Sequence, residues 1–189
     1  MWSLLTHLHW SALTARSPYY YLAPKLPLLL AVSANDLATT VQSLVMKNIL
    51  TLCIGNICRS PIAEALLKQH FPEKTIWSAG LGALVGHSAD PLSIEVANVY
   101  GLDLSAHRAQ QLATWMCQKA DLILVMEQSN KIALEQQHPL VRGKVFRLGE
   151  LGKFDIEDPY RQPKAAFEAA YTDIARGVSD WVPRIQKLS

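Results

Sequence analysis

Cys53 and Arg59 stand six positions apart in the stretch LCIGNICRSPIAEALL, which runs from Leu52 to Leu67 and carries Gly55, Asn56, Cys58 and Ser60 around them. A cysteine thiolate is a strong nucleophile. The planar fork of an arginine matches two oxygens of a phosphate. The residues between them suit a tight turn, because Gly55 permits close backbone approach and Asn56 tolerates a left-handed conformation. In such a turn successive backbone N–H groups can face inward and form an anion nest. A helix starting there adds unpaired donors and the positive end of its dipole. The field that holds a phosphate also favours a thiolate at its floor, and Ser60 could donate a hydrogen bond to that sulfur. Nucleophile, cradle and clamp together fit attack of sulfur on phosphorus and a cysteinyl-phosphate intermediate. A bare Cys with an Arg six residues on is a weak signal, since chance supplies it in roughly one chain in ten of this length. The whole string at one turn is a strong one.

The elements that must position this turn can be read on either side of it. NILTLC, ending at Cys53, is a short buried strand, and SPIAEALLKQHF is a helix with Ser60 expected at the N-cap and Pro61 at the first helical position. KTIWSAG, DLILVM and KVFRLG read as three further strands, the apolar run of DLILVM suiting a parallel sheet. DPLSIEVANVYG reads as a helix closed by Gly101, and EQSNKIALEQQH and TWMCQKA as two more. The segment from Lys164 to about Leu188 reads as one long helix, with Gly177 and Pro183 as points where it could weaken. Strand and helix alternate throughout. That predicts a doubly wound α/β domain: a four-stranded parallel sheet with helices on both faces and the phosphate-binding loop after strand 1. Ligands of such sheets bind at the carboxyl ends of the strands, where the turn at Cys53 lies.

With 189 residues, half of them hydrophobic, the chain has the material for one domain with a full core. A formal net charge of +2 and the absence of any Lys or Arg run argue against a nucleic-acid groove or a polybasic anchor. Three cysteines, Cys53, Cys58 and Cys117, make no secreted disulfide framework, and a reducing, cytoplasmic setting fits best. Cys53 and Cys58 have the wrong spacing for a zinc knuckle, with no second pair to complete one. Residues 1–45 differ in character, being aromatic, Pro-broken and almost uncharged. LPLLLAVSA faintly resembles a signal-peptide core, and a spanning helix would need about 20 apolar residues, but Pro24, Lys25 and Pro27 interrupt the one apolar run. The expectation is a disordered extension, or a working protein that begins at Met46, with residues 46–189 as the catalytic domain and no stable membrane insertion.

CIGNICRSPIAEALL, followed by SAGLGALVG, SAHRAQQL, DLILVMEQSN and EDPYR, resembles the low-molecular-weight protein-tyrosine phosphatases. The resemblance runs from about Met46 to the C-terminus. SAGLGALVG makes it most similar to the bacterial branch paired with tyrosine autokinases of capsule and exopolysaccharide export. The resemblance implies a metal-free, cofactor-free enzyme whose partner is a phosphotyrosine protein, such as a tyrosine autokinase. It implies that Cys53 is the nucleophile and Arg59 the clamp, and that Asp158 in EDPYR is the general acid. The chemical need is plain, since a phenol with a pKa of about 10 leaves poorly as its anion. On the residues alone Asp158, Glu157, Asp155 and Glu150 are equal candidates. The resemblance further implies that Asn56, Ser78 and His107 brace the loop, that Gly55, Cys58 and Ser60 belong to the phosphate site, and that Ile54, Ile57, Leu84 and Tyr160 wall the pocket. Leu84 stands where eukaryotic members have Trp, Arg161 where they have a second Tyr, and Gln110 where an Arg is usual, so one structural ion pair is expected to be missing.

Cys58 has two readings. It lies across the loop from Cys53, near enough to capture a sulfenate as a disulfide, and it could equally be a small packing residue. Two rivals to the phosphatase remain. An arsenate reductase of the same fold would need two further thiols for its relay, and Cys117 alone lies downstream. A non-catalytic phosphotyrosine-binding module would use the same cradle, but would need neither thiolate nor acid.

Overall fold

The computed structural model describes residues 46–188, so the readings for residues 1–45 lie outside the described residues. Four parallel strands, β1 (Asn48–Cys53), β2 (Thr75–Gly80), β3 (Leu122–Val125) and β4 (Val145–Arg147), form one sheet in the order β2-β1-β3-β4. The helices are α1 (Arg59–His70), α2 (Pro91–Val99), α3 (Thr114–Lys119), α4 (Gln128–Gln137) and α5 (Lys164–Lys187), with a 3-10 turn at Pro139–Val141. The chain winds from β1 outward to β2, then returns across β1 to β3. That reversal puts the topological switch point at the carboxyl end of β1, which is Cys53.

Strand alternation sorts β1 into two layers. Ile49 and Cys53 join the core built with α1, α2 and α5, whose contributions include Ile62, Leu67, Val96, Phe167 and Ile174. Leu50 and Leu52 join the opposite core with Met116 and Cys117 of α3 and Leu134 of α4. Both faces are covered, as the apolar strands require, and the predicted doubly wound architecture is the one observed.

Two local expectations change. Ser60 is not the N-cap of α1. That helix begins at Arg59 behind Cys58, which makes no side-chain cap, and Pro61 sits at its third position. The hydroxyl of Ser60 is instead bonded to groups of the preceding loop. The long helix α5 runs unbroken through Gly177 and Pro183. Its apolar face is buried along its whole length, which outweighs the hydrogen bond that Pro183 cannot donate. A Cβ at Gly177 would come within 2.9 Å of the Leu148 side chain and carbonyl, so glycine allows α5 to lie close against the segment after β4. There Trp181 Nε1 donates to Leu148 O at 3.0 Å. Helix α2 closes as expected: Gly101 has φ +75, its N–H donates to Asn98 O, and that of Leu102 donates to Ala97 O.

Candidate active site

The turn between β1 and α1 is shaped by where its carbonyls go. Cys53 O, Ile54 O and Gly55 O accept from the backbone N–H groups of Leu81, Gly82 and Leu84, each at 3.0 Å. Asn56 O accepts from His107 Nε2 at 2.7 Å, and Ile57 O from Asp90 N at 2.8 Å. Because a carbonyl cannot donate, the Nε2 of His107 carries its proton. Five successive carbonyls thus point outward into the frame, which leaves the N–H groups of the turn to face its interior. Close approach makes this possible: a Cβ on Gly80 would meet Ile54 O at 2.4 Å.

Beneath the turn lies Asn56, fully buried with φ +56. Its Nδ2 donates to Ser60 Oγ and to Ser78 Oγ, both at 2.9 Å, and its Oδ1 accepts from Gln110 N at 2.9 Å. Ser78 Oγ in turn donates to Glu64 Oε2 at 2.6 Å. Ser60, having accepted from Asn56, is free to donate to Cys53 Sγ at 3.0 Å. Asn56 N donates to the same sulfur at 3.2 Å. The sulfur thus has two polar groups against it at the floor of the turn.

Arg59 opens α1 with its guanidinium buried. Nη1 donates to Ile156 O at 2.8 Å and pairs with Glu127 at 2.5 Å, while Nη2 pairs with Asp158 Oδ2 at 2.6 Å. Nε is buried and has no hydrogen-bond partner among the described residues. A buried, unpaired N–H is costly, so this donor suits an anion bound in the turn. Cys53, Arg59 and Asp158 line one cleft of about 190 Å³, with Ile54, Gly55, Ile57, Cys58, Leu84 and Tyr160 around them.

Residues 48–189 match the family model described as low molecular weight phosphotyrosine protein phosphatase. The chain belongs to this family. It is 54% identical over 143 residues to the probable low molecular weight protein-tyrosine-phosphatase EpsP of Ralstonia nicotianae, covering 76% of this chain and 99% of that one. Its fold matches Vibrio vulnificus Wzb in complex with benzylphosphonate (44% identity, TM-score 0.71, 74% of this chain and 99% of that one). It also matches the Erwinia amylovora tyrosine phosphatase AmsI (46% identity, TM-score 0.71, 74% and 93%). Membership makes the chain a phosphoric monoester hydrolase acting on phosphotyrosine.

Within this phosphatase the predicted residues fall into two groups. Ile54, Gly55, Ile57, Cys58, Leu84 and Tyr160 line the cleft; Asn56, Ser60, Ser78 and His107 lie behind the turn and hold it. Burial, reinforced by the Asp90 carboxylate and by Cys53, pushes the Cys58 thiol up to about 12. Burial also raises Cys117, which sits in the core on the other face of the sheet from Cys53. All three cysteines are free thiols.

Sequence reasoning missed Glu127, Glu64, Asp90 and Gly82. None lies in the turn, and their roles arise only when separate segments meet. Gln110, read as a lost ion pair, has a positive role: its backbone N–H holds Asn56, and its Nε2 donates to Ser78 O at 2.8 Å. Asp155, one of the equal carboxylate candidates, accepts from Gln128 N at the start of α4 and pairs with Arg147 at 3.0 Å. Glu150 also pairs with Arg147, at 3.2 Å. Of the four carboxylates only Asp158 lines the cleft.

Proposed function

We propose that Cys53 attacks the phosphorus of phosphotyrosine, that Arg59 holds the phosphoryl oxygens, and that Asp158 first protonates the leaving phenolate and then takes a proton from the attacking water. In the first half-reaction an S–P bond forms as the P–O bond to tyrosine breaks. In the second, water displaces the cysteine and inorganic phosphate leaves. The observation that carries this reading is the meeting of Cys53, Arg59 and Asp158 in one cleft whose floor directs donors at the sulfur.

The contact between Arg59 and Asp158 gives the cycle an order. Before substrate arrives, Arg59 Nη2 pairs with Asp158. A phosphate dianion brought to the same guanidinium competes with that carboxylate, so arrival of substrate frees Asp158 to face the leaving group.

The partner is a phosphotyrosine protein, and a tyrosine autokinase of exopolysaccharide production is the reading that the resemblance to the bacterial branch favours. That Vibrio vulnificus Wzb is found in complex with benzylphosphonate supports an aryl-bearing phosphoryl substrate here. The cysteine usage supports a cytoplasmic setting, and among the described residues no helix is long and apolar enough to cross a membrane. A working unit of residues 46–189 is supported by the family match and by the bond from Met46 N to Leu188 O, which ties its two ends. The test is acid quenching during turnover of a phosphotyrosine peptide labelled in its phosphoryl group. Label on Cys53 is the expected result. Turnover with label on no cysteine, or on Cys58, would remove Cys53 from the role given to it.

A further inference from the structure

The segment that carries Asp158 contains one residue in a conformation its side chain disfavours. Gln162 N donates to Pro159 O at 2.9 Å, closing a turn over Pro159–Gln162, and Arg161 at its third position has φ +63. That position ordinarily goes to Gly or Asn, because a Cβ there crowds the backbone. Glycine would relieve this crowding, yet the chain carries an exposed arginine. Strain kept at such a place points to a task for the side chain.

The surroundings say what that task could be. The guanidinium carbon of Arg161 lies 5.1 Å from the centroid of the Tyr160 ring, and Tyr160 is a wall of the cleft. Stacking on that ring holds the charge at the rim. From 155 to 163 the segment has three carboxylates, Asp155, Glu157 and Asp158, and Arg161 is its one cation. Asp155 is paired with Arg147 and Asp158 with Arg59, whereas Arg161 has no ion pair among the described residues. An unpaired guanidinium thus stands about one residue's reach from the cleft, where it can attract an anionic group of a bound peptide.

We infer that Arg161 is a specificity-determining residue that pairs with an anionic group on a residue next to the substrate phosphotyrosine. This rests on the proposed function of the cleft. The anion can be a carboxylate or a second phosphotyrosine, both of which suit a planar fork.

The experiment uses three peptides that differ beside one phosphotyrosine: neutral, with Asp or Glu, and with a second phosphotyrosine. The wild type should favour one or both anionic peptides over the neutral one by about three- to tenfold in kcat/KM, and salt should shrink the ratio. Arg161→Gly should bring the ratio close to one while the melting temperature holds or rises. Arg161→Glu should invert it. The anionic arm with the larger Arg161-dependent ratio assigns the source. Affinities measured in a Cys53→Ser background separate this inference from the function itself. Arg161-dependent preference in binding without wild-type turnover would overturn the phosphatase mechanism and leave the inference standing. Turnover with a ratio near one, or a ratio unchanged in Arg161→Gly, would overturn the inference alone.

Discussion

Two segments meet over the cleft, and they are held by different forces. The turn from Cys53 to Ser60 is fastened mainly by backbone and amide hydrogen bonds: five carbonyls bonded to the frame, and Asn56 using its whole side-chain amide beneath. The segment from Asp155 to Gln162 is fastened by ion pairs, Asp155 to Arg147 and Asp158 to Arg59, with buried Ile156 as its apolar anchor. Hydrogen bonds between uncharged backbone and amide groups are little affected by salt. Half-exposed ion pairs depend on both salt and pH. On the proposed mechanism the turn keeps its shape through the cycle while Asp158 exchanges partners, and the two kinds of fastening suit those two tasks.

The largest expected effect breaks the cradle side at its chemistry. Cys53→Ser should lower turnover by more than about 10⁴-fold, yet bind phosphate esters, since the outward carbonyls and Arg59 remain. Stopped turnover with unchanged binding by calorimetry is the expected pair of results. Asp158→Asn should lower kcat on phosphotyrosine by about 10²–10³-fold, and clearly less on 4-nitrophenyl phosphate, whose phenol needs little protonation. The same substitution removes a carboxylate from Arg59, so inorganic phosphate should inhibit this variant at lower concentration. Equal losses on both substrates would transfer the acid role to another group.

Asn56→Ala tests whether the cradle is as firmly built as its bonds suggest. It strands Ser60, Ser78 and Gln110 N and puts alanine at φ +56, which should cost roughly 2–4 kcal/mol of stability. Urea unfolding measures this, and a loss below about 1 kcal/mol would mean that the turn does not depend on its asparagine.

Arg147→Met probes the other fastening and should act more gently, lowering kcat by about three- to tenfold and weakening the salt dependence of the rate. The pH dependence has a definite sign here. Arg147 holds the Glu150 carboxyl below its ordinary range. That contribution is complete above the ordinary value of about 4.3 and is lost as pH falls through the lower folded value. On acidification, hydrogen exchange should therefore quicken in 150–162 before it quickens in 53–60. The reverse order would contradict the contrast. The smallest effect concerns the spare thiols: with Cys58 raised to about 12 and Cys117 also raised, limited alkylation at neutral pH should label Cys53 alone.

The alternation of strands and helices, the place of Cys53 at the end of β1, and the grouping of Cys53, Arg59 and Ser60 within eight residues can all be read along the chain. These are legible because they are local: apolar runs, turn residues and a short motif depend on neighbours in the chain. The expected cap at Ser60 failed for the same reason, since a local rule cannot see that Cys53 and Asn56 compete for that hydroxyl. Gly177 and Pro183 looked like weak points because propensity omits the buried face that holds α5 together. Only the tertiary structure set Asp158 apart from Asp155 and Glu150, by turning those two to Arg147 and placing Asp158 on Arg59 in the cleft. It alone brought Glu127, 68 residues away in sequence, to that same guanidinium. It also turned the carbonyls of the loop outward, through partners at 81, 82, 84, 90 and 107. Whether a short loop presents donors or acceptors to a ligand depends on what stands behind it, and that is decided by contacts between distant segments.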